Sequence, residues 1–169
     1  MRFRLRTMLA TLAATALIAG GGRYWYDLQV RPSRAEALVL GSLEFRDVDP
    51  RLSIEAPAWW KLPPRVVHLW FDDAADFEGA AVRLGELTAV ESVQVLGRQI
   101  VPHAEAFQRD GSDRVIDAWR RHPTLREVLV DASVRGAPLA DEVELYDRDD
   151  LETLRSALPG VKIVWMEVH

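Results

Sequence analysis

Apolar and polar positions along the chain alternate in a rhythm that marks short strands, each joined to a helix. The stretch Leu84 to Ile100, LGELTAVESVQVLGRQI, shows it best: an amphipathic helix end feeding a short buried strand. Before it, Val66 to Phe71 is an apolar run of strand length between Pro64 and Asp72-Asp73. Phe77, Ala80, Ala81, Leu84 and Leu87 then share one helical face, with Asp76 placed to cap its start. The second strand is Ser92 to Leu96, followed by an insertion over 101–111 with a helical turn near Ala104 to Gln108. Ser112 caps a helix that carries Val115, Ile116 and Trp119 along one side and stops before Pro123.

Leu125, Val128 and Val130 repeat the strand pattern, and residues 134–148 form an irregular acidic connection. Asp149 with Glu152 three residues on has the spacing of a capping box. It opens a helix facing Leu151, Leu154 and Leu158 inward, which Pro159-Gly160 ends; Val161, Ile163 and Val168 close the series. Toward the N-terminus, Ala35, Ala37, Leu38 and Leu40 predict a short helix stopped by Gly41, then a strand over Leu43 to Phe45. Asp47 to Pro57, charged and bounded by proline, reads as loop, and Trp59-Trp60 as a cap over the open end of the core.

The first residues follow another pattern. Arg2, Arg4 and Arg6 precede Thr7 to Gly22, which carries no charge, and Tyr24-Trp25-Tyr26 follows. Sixteen helical residues rise about 24 Å, short of the ~30 Å hydrocarbon core, but Leu5 and the aromatic residues lengthen the run. Ala14-Thr15-Ala16 resembles a signal-peptide cleavage site, yet cutting there leaves an apolar region only from Met8 to Ala14. The expectation is an uncleaved transmembrane signal-anchor meeting the membrane through residues 5–25. The basic flank points the N-terminus to the cytoplasm and residues 27–169 to the extracytoplasmic side. The chain then divides into 1–26 anchor, 27–62 linker and N-terminal cap, and 63–169 α/β domain.

Val90, Val93, Val95 and Ile100 fall on the L-x-x-L-x-L-x-x-N-x-L spacing of a leucine-rich repeat. Aligned units begin at Pro64, Val90, Leu125 and Leu158, in steps of 26, 35 and 33 residues. The ninth position holds Asp72, Arg98, Ser133 and Met166, so no asparagine ladder forms. Strand, loop and helix in series predict an α/β solenoid with parallel strands and the helices on one face. Leu40-Gly41, Pro57-Ala58-Trp59, Leu84 to Gly97 and the ending Leu158 to Ile163 together resemble a group of bacterial membrane-anchored leucine-rich-repeat proteins. The resemblance implies a binding or scaffolding solenoid with no catalytic residues to carry over.

Composition narrows the functional classes. With 49% hydrophobic and 28% charged residues the chain is globular, and its net charge of −5 lacks the basic footprint of a nucleic-acid binder. There is no cysteine, which excludes disulfides, thiolate metal sites and cysteine nucleophiles.

On the repeat pattern Val66, His68, Trp70, Gln94, Leu96, Glu127, Leu129, Lys162 and Val164 point away from the helices. Trp70, Leu96, Leu129 and Val164 would form an apolar row, which marks a protein-partner face if it is open. The alternative is that the insertion 101–111 or residues 35–62 covers that row, because parallel strands buried on both faces read the same way. Asp72, Asp73 and Asp76 follow a strand end, where three carboxylates can hold Mg²⁺ in a small hydrolase; turn and capping roles are the plainer use. The acidic group Asp141, Glu142, Glu144, Asp147, Asp149, Asp150 and Glu152 lacks the order of an EF-hand loop. His68, His103, His122 and His169 are scattered, and no cofactor fingerprint or catalytic motif is present. The expectation is a protein-interaction module with no cofactor or metal; the alternatives are that small metal-assisted hydrolase or a purely structural repeat remnant serving as a spacer on the membrane surface.

Overall fold

A computed structural model describes residues 2–52, 65–72, 76–131 and 148–166. Among these, one sheet carries five strands in the order β1-β2-β3-β4-β5. They are β1 Val48–Leu52, β2 Val66–Phe71, β3 Ser92–Leu96, β4 Glu127–Asp131 and β5 Lys162–Met166. β2 to β5 run parallel, and β1 pairs with β2 antiparallel. The helices are α1 Arg2–Trp25, α2 Arg31–Leu40, α3 Phe77–Val82, α4 Gly97–Asp110, α5 Arg114–Arg120 and α6 Arg148–Ala157. A π-helical turn, Tyr26–Val30, joins α1 to α2, and a 3₁₀ turn, Arg83–Glu86, extends α3.

Alternation along the strands decides where the core lies. Leu69, Phe71, Val93, Val95, Val128, Val130 and Ile163 are buried and form one cluster with the apolar faces of α3 to α6. Trp119 of α5 is its largest fully buried side chain. Its indole N–H donates to the Ala81 carbonyl at 3.1 Å, so the polar end of the ring is satisfied. The ring stacks on Phe71 at 6.3 Å and meets Phe77 edge-on at 6.2 Å, joining β2, α3 and α5.

Caps set the helix boundaries. Asp76 accepts from the Gly79 amide at the start of α3. At α5 the cap is Asp113, not the expected Ser112: its Oδ1 accepts from Val115 at 2.9 Å and Ile116 at 3.0 Å. α4 replaces the expected loose insertion with a helix that runs through Pro102 and ends at Gly111 in the left-handed region, φ 74°. Pro102 lies past the first turn and has no N–H to donate to the Arg98 carbonyl four residues back, one bond lost from a 14-residue helix. Asp149 lies inside α6, and Glu152 pairs with Arg155 at 2.7 Å.

Two expectations about architecture are corrected. The sheet is mixed, so the α/β chain is not the all-parallel solenoid expected from the repeat spacing. Asp49 and Pro50 break the apolar pattern and made β1 read as loop; proline is tolerated there because β1 is an edge strand. Leu43–Phe45 is a 3₁₀ turn instead of a strand.

The second correction concerns the N-terminus. Among the described residues no helix is long and apolar enough to cross a membrane. This overturns the transmembrane signal-anchor and the single-pass placement with residues 27–169 extracytoplasmic. The physical reason is dilution: Thr7, Thr11, Thr15 and Gly20 to Gly22 interrupt an uncharged run already shorter than the ~20 residues a span needs. Arg23, Asp27 and Arg31 then follow in the same continuous helical segment.

α2 is held to the body by a buried ion pair. Arg65 donates to both oxygens of Glu36, Nε to Oε2 at 2.9 Å and Nη2 to Oε1 at 2.7 Å. Thr88 adds a third hydrogen bond to Glu36 at 3.0 Å, and Glu36 is only 2% exposed. Arg83 makes a second, more exposed tie, to Glu44 at 2.9 Å and Glu86 at 2.7 Å. Burial alone would raise the Glu44 carboxyl, but its own backbone amide and Ser42, with Arg83 beside it, hold it below the ordinary value.

Candidate functional site: the strand face away from the core

Side chains that alternate with the core positions form the other face of the sheet. The register groups them in rows. His68, Ser92, Glu127 and Lys162 lie side by side, and so do Trp70, Gln94, Leu129 and Val164. A third row joins Leu96, Asp131 and Met166. In the first row His68 Nδ1 is 3.0 Å from the Ser92 hydroxyl, and Lys162 Nζ donates to Glu127 at 2.6 Å. Cross-strand pairs of this kind fix the strands laterally.

The middle row is apolar except for Gln94, and all four of its side chains are half-buried. It therefore has the make-up of a small contact surface: an aromatic and two aliphatic groups beside a hydrogen-bonded polar rim. Two of the expected face residues lie elsewhere than the spacing placed them. Val66 is 0% exposed and belongs to the core, because β2 has a bulge between its pairings with Arg51 and Leu52 that turns Val66 inward. Leu96 sits one row further on, opposite Asp131, and both are nearly buried. Lys162 shares its row with His68, and it is the one exposed member of the polar row.

Of the three carboxylates proposed for metal chemistry, Asp72 and Asp76 lie among the described residues. Asp76 is engaged as the α3 cap, Asp72 is exposed, and Asp73 lies outside the described residues. Among the described residues no group of three or more His, Asp or Glu side chains is placed to hold a metal ion. Asp141, Glu142, Glu144 and Asp147 also lie outside them, as do Trp59 and Trp60.

Two histidines have defined partners that the spacing did not reveal. His103 Nδ1 lies 3.0 Å from Asp113 Oδ2, tying α4 to the start of α5. Burial would raise the Asp113 carboxyl, but the His103 hydrogen bond and the Ile116 and Val115 amides outweigh it and hold it below the ordinary value. His122 is buried, with Nε2 3.2 Å from the Leu87 carbonyl and Nδ1 accepting from the Leu125 amide at 3.1 Å. Its ring thus bonds backbone at both nitrogens, in the neutral Nε2–H tautomer that this pattern requires. Both contacts hold the fold together, and neither ring nitrogen of His122 is left to meet a ligand.

No family model, curated protein or solved structure matches the chain.

Proposed function

We propose that the chain is a protein-interaction module and that the strand face away from the core receives the partner. The observation that carries this reading is the row Trp70, Gln94, Leu129 and Val164, side by side across four strands and half-buried. Three apolar side chains on a rigid sheet offer contact area at little cost in conformational entropy, and the Glu127–Lys162 pair supplies a polar border. The role agrees with the scaffold or binding character that the repeat-like motifs imply.

The test is a double substitution, Trp70→Asp with Leu129→Asp, compared with the wild type in affinity purification from the host. The expected outcome is loss of a partner that also binds the purified wild-type protein, while the variant still unfolds cooperatively in urea. A variant that is unfolded assigns the face to the core instead. Undiminished binding of the same partner places its contact somewhere else on the molecule.

A further inference from the structure

We propose that a cleft on the helical side, between the 3₁₀ turn Arg83–Glu86 and α5, docks a short peptide carrying carboxylates beside apolar side chains. The proposal is independent of the strand-face reading, since the lining residues lie on other elements. The cleft is open to solvent and offers about 470 Å³, room for a few peptide side chains laid along it. Val82, Ala118 and Pro123 supply its apolar wall. Arg114, which opens α5, and Arg121, the residue just after it, supply the cationic groups, two helical turns and so about 10 Å apart.

These guanidinium groups are available to an incoming carboxylate. Arg114 lies 3.5 Å from Glu78, but both side chains are largely exposed, so water already competes for that pair. Arg121 has no ion-pair partner among the described residues and is exposed. Two arginines against the single carboxylate of Asp117 give the cleft a local positive balance, and that balance sets the sign of the partner. Asp117 lines the same cleft and offers an acceptor to a peptide N–H, which a simple anion cannot use. His122 borders the cleft without adding charge, because burial lowers its pKa and both its nitrogens are engaged with backbone.

Gly85 gives the cleft its opening. It lines the cleft, and a Cβ built on it meets nothing within 4 Å. Unlike Gly111 and Gly160 it has no positive φ, so its backbone does not require glycine. A large side chain at this position therefore fills the space without straining the turn.

The experiment uses the full chain and a fluorescein-labelled peptide alternating leucine and glutamate, read by fluorescence anisotropy. Wild type is expected to bind it and to ignore the matching leucine–lysine peptide. Arg121→Glu should weaken binding about tenfold or more, since it replaces attraction by repulsion. Gly85→Trp should abolish binding by occupation, while Arg109→Glu, an exposed arginine on α4 away from the cleft, should leave it unchanged. Circular dichroism melts check that each variant is folded; Arg121→Glu, at an exposed position, decides the matter should Gly85→Trp fail to fold. The proposal is overturned if wild type does not bind, if Arg121→Glu binds as wild type does, or if free citrate displaces the peptide as effectively as unlabelled peptide. The last result would assign the cleft to small anions.

Discussion

Glu36 carries more of the fold than any single apolar residue of α2, because its removal strands a charge. Arg65 spends its fork on this carboxylate, and 17% of its side chain remains exposed. Glu36→Ala should lower the unfolding free energy by about 3 kcal/mol, the lower end of what breaking a buried pair costs, measured by urea denaturation. Removing Arg83, whose partners are open to water, should matter much less. His122 makes the second residue-scale prediction. Above its ordinary pKa of 6.5 both folded and unfolded rings are neutral, and its backbone bonds contribute fully. As pH falls below that value the unfolded ring takes a proton while the folded ring, its pKa lowered by burial, resists. The unfolded chain then binds more protons, so stability falls with pH until the folded ring titrates too. Comparing urea midpoints at about pH 7.5 and about pH 5 for wild type and His122→Gln should show a smaller loss in the variant. Equal losses would remove His122 as the source. Neither interaction was legible in the sequence: Glu36 and Arg65 are 29 residues apart, and His122 reaches back 35 to Leu87. Contacts at that separation leave no local spacing to read.

Elements were more legible, and the failures have physical causes. Apolar alternation located β2 to β5, and Asp76 was found as a cap because capping is a signal within four residues. At α5, Ser112 and Asp113 are adjacent residues that both cap well; His103, ten residues back in the chain, bonds Asp113 and favours it. Alternation also assigns faces but not register, since a shift of two residues keeps every side chain on its side. This is why Trp70 and Val164 were placed on the correct face yet beside Leu96 instead of Gln94. Val66 escaped even the face assignment, because a bulge has no mark in the apolar pattern. Two glycines that end elements give a test at this scale. Gly111 and Gly160 have φ of 74° and 88°, and a Cβ at either meets no neighbour within 4 Å. Alanine at each should therefore destabilise by about 1 kcal/mol through backbone strain alone. Gly85→Ala, with equal space and no positive φ, should cost nothing measurable in the same urea titration.

For the molecule as a whole, the question is where the cooperative unit begins. From Thr7 to Tyr24 every side chain of α1 is exposed, Leu17 and Ile18 at 76%, and none of these joins the core cluster. Among the described side chains the first buried one is Val30, followed by Ser33 and Glu36. Burial, rather than the continuity of the helix, sets stability, because a helix exposed on all sides adds little to it. Deleting residues 2–25 should thus leave the melting temperature within about 2 °C of the full chain. Deleting residues 2–40 removes Glu36 and leaves Arg65 without its carboxylate, and should lower it by about 10 °C, the equivalent of roughly 3 kcal/mol in a domain of this size. Calorimetry on the two truncations separates the cases. A large drop already in the shorter deletion would mean that α1 is packed against the body, and the fold would then have to be counted from Arg2 rather than from Val30.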